Sequence, residues 1–295
     1  MTAVAQPDSG LVDDDAIAAF VADYGQGATP PALPPVAIVI AAYNEEAGIA
    51  EVLKSMPEMV CGQETATVVV VDGAKDDTAR LARDCGVYVC DVPVNRGQGA
   101  ALRLGYRLAR TCGAEYIVTT DADGQYDPAQ METVLAPVVN GEADFCTGSR
   151  VLGHQETTDR FRRLGVHVFA TIITGLTGRR ITDTSFGMRA MRAAVTGDVE
   201  LLQPQYQSSE LLIGVIARGY KVVEVPAVMQ IRNAGKSKKG NNLVYGSRYA
   251  RVVFGTWWRE RKSARRGPGS GGVAVREDHE VEQQELPDEQ HSVGS

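Results

Sequence analysis

The stretch Tyr116-Ile-Val-Thr-Thr-Asp-Ala-Asp-Gly-Gln125 is the most informative part of the chain. Its first five residues are mostly apolar and β-branched, which is typical of a buried strand. Two carboxylates and an amide follow at alternate positions, Asp121, Asp123 and Gln125. Unpaired carboxylates are costly in a core, whereas Mg²⁺ and Mn²⁺ take oxygen ligands from carboxylates and substrate phosphates. The stretch therefore predicts a strand that ends at a hard-cation site; an acidic helix cap formed through Asp127-Pro128 is the alternative.

Short apolar runs alternate with helical patterns on both sides of this stretch. The predicted strands are Val36–Ala42, Thr67–Val71, Val87–Val92, Tyr116–Thr120 and Phe145–Ser149, and the predicted helices are Glu45–Ser55, Asp76–Asp84, Gly99–Thr111 and Pro128–Val139. Such alternation predicts an α/β fold, with a Rossmann-like, mostly parallel sheet covered by helices on both faces. Ligands of these sheets bind at the carboxyl ends of the strands. Four polar segments fall at such ends: Tyr43–Glu45, Asp72-Gly73, Asn95–Gly97 and Asp121–Asp123.

The second half of the chain has a less regular pattern. We predict helices at Arg160–Leu176, Ser208–Arg218 and Leu243–Arg261, strands at Tyr220–Val225 and Met229–Arg232, and a polar loop over Asp183–Met191 that runs into a short strand.

The charge of the chain is unevenly distributed. Its formal net charge is −7, but residues 1–35 and 267–295 together hold 12 of its 37 acidic residues and one of its 30 basic residues. Residues 36–266 therefore carry a charge of +4, which suits an anionic substrate. From composition we predict four regions, two of them rich in Pro, Gly or acids. These are an N-terminal appendage with a Pro-rich linker over 1–35, one catalytic domain over 36–240, a basic amphipathic helix over 241–266 and a disordered acidic tail over 267–295.

Cysteine usage and hydropathy bear on the cellular location. The five cysteines form no CxxC pair and no metal-ligand spacing, which predicts reduced, mostly buried thiols in a cytoplasmic protein. The N-terminus lacks a basic region followed by an apolar stretch, so no signal peptide is expected. No run of about 18 apolar residues occurs, so no membrane-spanning helix is expected.

The glycine-rich segment Gly97-Gln-Gly99 precedes a predicted helix. A dinucleotide fingerprint would follow the first strand, whereas this segment follows the third, so a nicotinamide or flavin site is disfavoured. A helix N-terminus can still bind a nucleotide phosphate or ribose; the alternative is that the glycines serve only the turn. Arg150 ends the fifth strand, where its guanidinium would pair with phosphate oxygens; a solvated surface arginine is the alternative.

The two tryptophans of the chain, Trp257 and Trp258, stand beside a basic cluster. Aromatic and cationic side chains together suit a membrane interface with anionic headgroups. Packing of the tryptophans on the core is the main alternative. No motif that reads nucleic acid accompanies the cluster, so we expect no nucleic-acid partner.

Seven segments occur in the order found in family-2 glycosyltransferases, and the chain resembles the dolichol-phosphate mannosyltransferase and polyprenyl-phosphate glycosyltransferase subgroup. They are Val39–Glu45, Val70–Thr78, Asn95–Ala101, Asp121–Gln125, Gly148–Arg150, Asp183–Arg189 and Ile231–Lys238. The resemblance implies a GT-A fold and an inverting, Mg²⁺- or Mn²⁺-dependent transfer from a nucleotide-sugar donor, GDP-mannose or a UDP-sugar. The acceptor it implies is a polyprenyl or dolichyl phosphate, reached by peripheral contact with the inner face of the cytoplasmic membrane.

The resemblance also implies roles for individual residues. Asp123 and Gln125 would hold the metal, and Asp121 and Arg150 would be catalytic, with Asp121 beside the reacting sugar. The substrate contacts would come from Ala41, Tyr43, Glu45, Asp72, Gln98, Arg162, Asp183, Glu210, Arg232 and Lys238. If the acceptor were a hydroxyl, a general base would be required, and Asp121 or Glu210 would be the candidates.

Three positions depart from the family pattern. Val71 stands where a second aspartate is usual, Gln98 where the family has lysine, and Ala41 where many members have proline. Two alternatives stay open on the sequence: a family-2 transferase with a soluble hydroxyl acceptor, and a non-catalytic module that binds nucleotide sugars. A nucleotidyltransferase is disfavoured, because Tyr43-Asn-Glu-Glu46 stands where a basic glycine-rich loop is needed.

Overall fold

A computed structural model of the chain describes residues 9–155, 160–230 and 242–265. The strands in these residues are β1 (Val36–Ala42), β2 (Met59–Val60), β3 (Gln63–Asp72), β4 (Tyr88–Val92), β5 (Tyr116–Asp121), β6 (Phe145–Gln155), β7 (Arg189–Arg192) and β8 (Val222–Met229). The helices are α1 (Ser9–Tyr24), α2 (Ile49–Lys54), α3 (Thr78–Asp84), α4 (Gln98–Thr111), α5 (Gln130–Val139), α6 (Arg160–Thr177), α7 (Val195–Asp198), α8 (Gln207–Ala217) and α9 (Asn242–Arg265).

The strands pair in the order β2-β3-β1-β5-β7-β6-β8, and β4 pairs with β3 outside this path. β1 lies parallel between β3 and β5, with Ala41 opposite Val70 on one side and Asp121 on the other. β7 is antiparallel to both β5 and β6, because the chain enters it from the carboxyl edge of the sheet, where Arg189 pairs with Thr147. The predicted α/β fold with a mostly parallel sheet is confirmed, and the antiparallel strands β7 and β2 make the sheet mixed.

Helices bury both faces of this sheet. Within β1, Ala37 and Val39 belong to the core on one face, and Val36, Ile38 and Ile40 belong to the core on the other. Successive side chains of a strand point to opposite faces, so a strand that is covered on both sides reads as an unbroken apolar run. This is the reason why the run Val36–Ala42 predicts its strand with the bounds that are observed.

The N-terminal helix packs on the sheet. α1 contacts β4, Phe20 is 1% exposed, and the Tyr24 hydroxyl accepts the Val89 N–H at 3.1 Å. The described part of residues 1–35 therefore belongs to the domain core, contrary to the predicted appendage. The helical pattern of α1 was visible in the sequence, but a helix does not show in its own sequence which surface it packs against.

The predicted separate strand at Met229–Arg232 is wrong where the structure describes it, because Met229 is the last residue of β8. The prediction ended the preceding strand before Pro226, which lacks a backbone N–H. β8 nevertheless continues through Pro226 opposite Ser149, and the ladder shifts register between Ser149 and His154 of β6. Edge strands tolerate proline in this way.

Candidate active site

The carboxyl ends of β1, β3 and β5 lie side by side and carry five of the predicted site residues. Asp121 ends β5 in register with Ala41 of β1, and Asp72 ends β3. Tyr43 and Glu45 follow β1 and are half-buried. The parallel run of the three strands therefore brings together residues that are far apart in sequence, at the edge where such sheets bind ligands.

The residues after β5 form a tight turn that is tied to the end of β8. Gly124 has a φ of 69°, and Asp123 Oδ1 accepts the Gln125 N–H at 3.1 Å. Gln125 Nε2 donates to Gln230 O at 3.1 Å, and Gln230 N–H donates to Gln125 O at 2.9 Å. These two bonds fix the Gln125 amide and connect the turn to the residue that precedes segment 231–241.

Gln98 joins the glycine-rich turn to this site. It is the first residue of α4, and its Nε2 donates to Asp121 Oδ1 at 3.1 Å. The backbone beside it is also held, because Gly99 N–H donates to Pro204 O at 2.9 Å. An amide at position 98 thus supplies a hydrogen bond to a carboxylate where the family's lysine would supply a charge.

The donor pair Asp123 and Gln125 would fit a divalent cation that a substrate carries. Its side chains offer carboxylate and amide oxygens, which are the ligands of Mg²⁺ and Mn²⁺. In the described part of the chain, no group of three His, Cys, Asp or Glu side chains could enclose a metal. Substrate phosphates would have to complete the coordination, as is usual for Mg²⁺ at nucleotide sites.

Asp72 supports the turn before α4 from within the protein. It is 2% exposed, and its carboxylate accepts the Arg96 N–H at 3.0 and 2.9 Å and the Gly97 N–H at 2.6 Å. Burial raises the pKa of Asp72, and these donors partly oppose the rise. The predicted contact of Asp72 with a base or ribose would compete with these bonds, so the geometry favours a role in shaping the turn.

Arg150 and Asp183 form a buried ion pair. Arg150 Nε lies 2.6 Å from Asp183 Oδ2, and its Nη2 donates to Asp183 Oδ1 at 3.3 Å and to Ser185 Oγ at 3.0 Å. Burial lowers the pKa of Arg150, but the Asp183 carboxylate together with Tyr126 and Tyr249 outweighs this effect, and the pKa is raised overall. The guanidinium therefore stays charged, and the pair brings little net charge to the site.

Glu210 is fully buried, and its carboxylate is bonded within the protein. It accepts the Leu202 N–H at 3.0 Å, the Gln203 N–H at 2.9 Å and both terminal nitrogens of Arg259 at 3.0 Å. Arg259 lies on α9, so Glu210 joins this helix to the segment that reaches the N-terminus of α4. A role as general base would require these bonds to break, and the geometry favours a supporting role.

Two residues beside Asp121 were not among the predicted site residues. Tyr126 packs on Phe186 with ring centroids 4.8 Å apart, and its hydroxyl accepts the Gly187 N–H at 2.9 Å. A Cβ at Gly187 would lie 2.7 Å from Asp121 Oδ2. The glycine within the polar segment Asp183–Arg189 is the sequence signal that could have pointed to this close approach.

Three of the predicted substrate contacts fall outside what the structure describes. Arg162 lies in the first turn of α6, but its side chain is outside the described atoms, and so are Arg232 and Lys238 entirely. The predicted acidic tail, residues 267–295, also lies outside the described residues.

The two tryptophans of α9 differ in their surroundings. Trp257 Nε1 donates to Leu176 O of α6 at 2.7 Å, whereas Trp258 is 66% exposed. Trp257 therefore packs on the core, as the alternative prediction stated, and Trp258 lies on the surface. None of the helices that the structure describes is long and apolar enough to cross a membrane.

Comparison with known proteins identifies the family. Residues 37–199 match the model of Glycosyl transferase family 2. A dolichyl-phosphate hexose transferase of Haloferax volcanii is 34% identical over 203 residues, which are 69% of this chain and 86% of the relative. A polyprenol monophosphomannose synthase of Mycolicibacterium smegmatis is 31% identical over 219 residues, which are 70% of this chain and 82% of the relative.

The fold is shared with a solved glycosyltransferase. Glucosyl-3-phosphoglycerate synthase from Mycobacterium tuberculosis, in complex with Mn²⁺, UDP and glucosyl-3-phosphoglycerate, superposes with a TM-score of 0.60 at 20% identity, over 88% of this chain and 86% of that chain. The fold and the carboxylate turn at its sheet edge therefore define a glycosyltransferase of the GT-A type. The chain belongs to glycosyltransferase family 2.

Proposed function

We propose that this chain transfers a sugar from GDP-mannose or a UDP-sugar to polyprenyl or dolichyl phosphate, with inversion and with Mg²⁺ or Mn²⁺. The observation that carries the proposal is the Asp121–Gln125 turn, which lies at the carboxyl edge beside Gln98 and is tied to Gln230. The two relatives, which are named for dolichyl-phosphate and polyprenol chemistry, support the choice of acceptor.

In the proposed reaction, an oxygen of the lipid phosphate attacks the anomeric carbon of the sugar. The bond from this carbon to the donor diphosphate breaks, and the nucleoside diphosphate leaves. Asp123 and Gln125 would hold the cation, which when bound would neutralise charge on the leaving diphosphate. Asp121, held by Gln98, would contact the sugar. A phosphate monoester is ionised at neutral pH, with a second pKa of about 6, so the attack needs no general base and Glu210 can keep its internal bonds.

The acceptor side of the proposal depends on where positive charge is available. Asp183 balances the charge of Arg150, so Arg150 would orient the phosphate without adding much net attraction. The attraction would come mainly from Arg162, Arg232 and Lys238, which by the resemblance would hold acceptor or donor phosphates. Positioning and electrostatics, without covalent catalysis, would lower the barrier.

Peripheral membrane contact is the second part of the proposal. Exposed side chains recur along one stripe of α9 at helical spacing, namely Arg251, Phe254, Trp258, Arg261 and Lys262. The stripe combines two large aromatic residues with three cations and contains no acid, which suits an anionic lipid surface. The neighbouring α6 adds exposed Leu164 and Val168.

The test is a panel of UDP-glucose, UDP-N-acetylglucosamine and GDP-mannose, each with Mg²⁺ or Mn²⁺ and with either a short polyprenyl phosphate or a soluble hydroxyl acceptor. Product mass identifies the transferred sugar and the acceptor. A polyprenyl phosphate sugar is the expected product. Transfer to soluble acceptors alone would favour a family-2 transferase with a soluble hydroxyl acceptor. Binding of donors without any transfer would favour a non-catalytic module.

The metal role is tested by Asp123→Asn. Because Asp123 would be a cation ligand, we expect turnover to fall by about 100-fold and the Mn²⁺ concentration needed for half-activity to rise. Asp127→Asn is the matched control, since Asp127 is exposed and its carboxylate accepts the nearby Ala129 N–H at 3.0 Å. An asparagine side chain can accept the same bond. Full activity of Asp123→Asn would remove the metal role.

A further inference from the structure

We propose that Asp13 of α1 is a positioning residue for donor binding, because it holds the Arg96 side chain and thereby the Asn95–Gln98 turn. The inference rests on the proposed function, since it places the donor at this edge of the sheet. α1 precedes residues 37–199, which match the family model. The chain thus supports its donor site with a helix from outside the matched region.

The Asp13 carboxylate joins two parts of the site. Asp13 is 5% exposed. Its Oδ1 lies 2.7 Å from Arg96 Nη1, in the turn that precedes α4, and its Oδ2 lies 3.3 Å from Arg103 Nε, on α4 itself. One carboxylate therefore bridges the turn and the helix that follows it, and Arg103 Nη1 extends the link by donating to Leu201 O at 3.1 Å.

Arg96 depends on this bridge. Its guanidinium is buried, with Nε 4.0 Å from Asp72 Oδ1. Among the described residues, neither Nε nor Nη2 of Arg96 has a hydrogen-bond partner. The bond from Nη1 to Asp13 is therefore the main compensation for burying this charge. A buried charge without a close partner is strongly unfavourable, so loss of Asp13 would drive the Arg96 side chain toward water.

Movement of Arg96 would disturb the donor site through the backbone. The Arg96 N–H is one of the donors that Asp72 accepts, and Gln98 follows two residues later. Gln98 Nε2 can donate to Asp121 Oδ1 at 3.1 Å only while the turn keeps its present backbone conformation. Displacement of a positioned group by about 1 Å is enough to reduce activity by about 100-fold.

The test compares Asp13→Asn with Asp14→Asn. Asp14 forms an exposed pair with Arg107 at 2.6 Å, so both substitutions remove a carboxylate that links α1 to α4, one buried and one at the surface. We expect Asp13→Asn to weaken binding of UDP or GDP with Mg²⁺ by about 10- to 100-fold, measured by calorimetry well below its melting temperature. Backbone amides of residues 95–99 should exchange hydrogen faster in Asp13→Asn, and Asp14→Asn should match the unaltered chain in both measurements.

A double-variant cycle separates positioning from general loss of stability. If Asp13 acts through Arg96, adding Asp13→Asn to Arg96→Gln should weaken nucleotide binding no further. Additive losses, or an Asp13→Asn variant with unchanged exchange at 95–99, would overturn the inference. So would faster exchange with unchanged affinity, which would leave Asp13 a merely structural role. If the unaltered chain binds neither nucleotide, the proposed function itself fails, and the inference fails with it.

Discussion

At the scale of single residues, the surroundings of Asp121 depend on the size of its neighbours as much as on their charge. Gln98 donates to one carboxylate oxygen, and the missing side chain of Gly187 leaves room for the other. Tyr126 fills the remaining space and fixes the Gly187 N–H. The orientation of the acid that would face the sugar is therefore set by an amide, a glycine and a phenol.

Gly187→Ala should impair catalysis while the protein stays folded. The new Cβ would lie 2.7 Å from Asp121 Oδ2 and 2.9 Å from the Tyr126 ring, so the carboxylate would have to move. We expect kcat/KM for the donor to fall by about 10- to 100-fold. Gly175→Ala in α6 is the control, because a Cβ there meets no atom within 4 Å; unchanged kinetics for Gly187→Ala would contradict this account of Asp121.

At the scale of secondary-structure elements, α9 has two distinct faces. Its inner face packs on α8 and α6, where Arg259 binds Glu210 and Trp257 binds Leu176. Its outer face carries exposed Phe254 and Trp258. The same helix would therefore contact the membrane on one side and support the segment beside the donor site on the other.

Replacing the outer aromatics should weaken membrane binding without unfolding the protein. In the double variant Phe254→Ser with Trp258→Ser, the lost apolar surface should lower partitioning to vesicles of phosphatidylglycerol and phosphatidylcholine by at least about tenfold, measured by co-sedimentation. Leu11→Ser is the matched control, since Leu11 is similarly exposed but lies on α1. If the double variant co-sedimented as well as the unaltered chain, the proposal that the outer face of α9 binds membranes would be wrong.

At the scale of the whole molecule, two apolar cores on opposite faces of the sheet enclose most of its thiols. Cys90 and Cys112 lie in one core and Cys146 in the other, and all five cysteines are unpaired. The prediction of mostly buried thiols is confirmed for these three. Burial raises the pKa of Cys90 and Cys146 to about 12 and that of Cys112 to about 11.

These three thiols should resist alkylation for as long as the cores are packed. A raised pKa keeps a thiol protonated, so at pH 8 the thiolate fraction is about one in a thousand or less, and at pH 9 it is still about one in a hundred or less. Iodoacetamide followed by mass mapping should modify the partly exposed Cys61 and Cys85 first. The buried three should react only after unfolding in guanidinium, and their rapid modification at pH 8 in buffer would show that the cores open.

Much of the fold could be predicted from local patterns. The strand Val36–Ala42 and the helix near Gly99–Thr111 each show a clear apolar pattern and residues that mark their ends. Both elements were therefore predicted to within one residue of their observed bounds. The strand after Tyr220 was cut short, because Pro226 is a local break signal that the pairing with β6 overrides. The turn at Asp121–Gln125 was also visible in sequence, since two carboxylates clustered at the end of a buried strand have few structural explanations.

Most of the alternating strands and helices, and the polar residues at the sheet edge, could be predicted from the sequence alone, because these follow from spacing over a few residues. Only the tertiary structure decided the partners of buried charges. Asp13 and Arg96 are 83 residues apart, and Glu210 and Arg259 are 49 apart. No local period encodes such pairs, since a buried charge is matched by whichever element the fold brings beside it. For this reason, the sequence resemblance implied substrate contacts for Asp72 and Glu210. In the folded protein, both carboxylates instead accept hydrogen bonds from other parts of the chain.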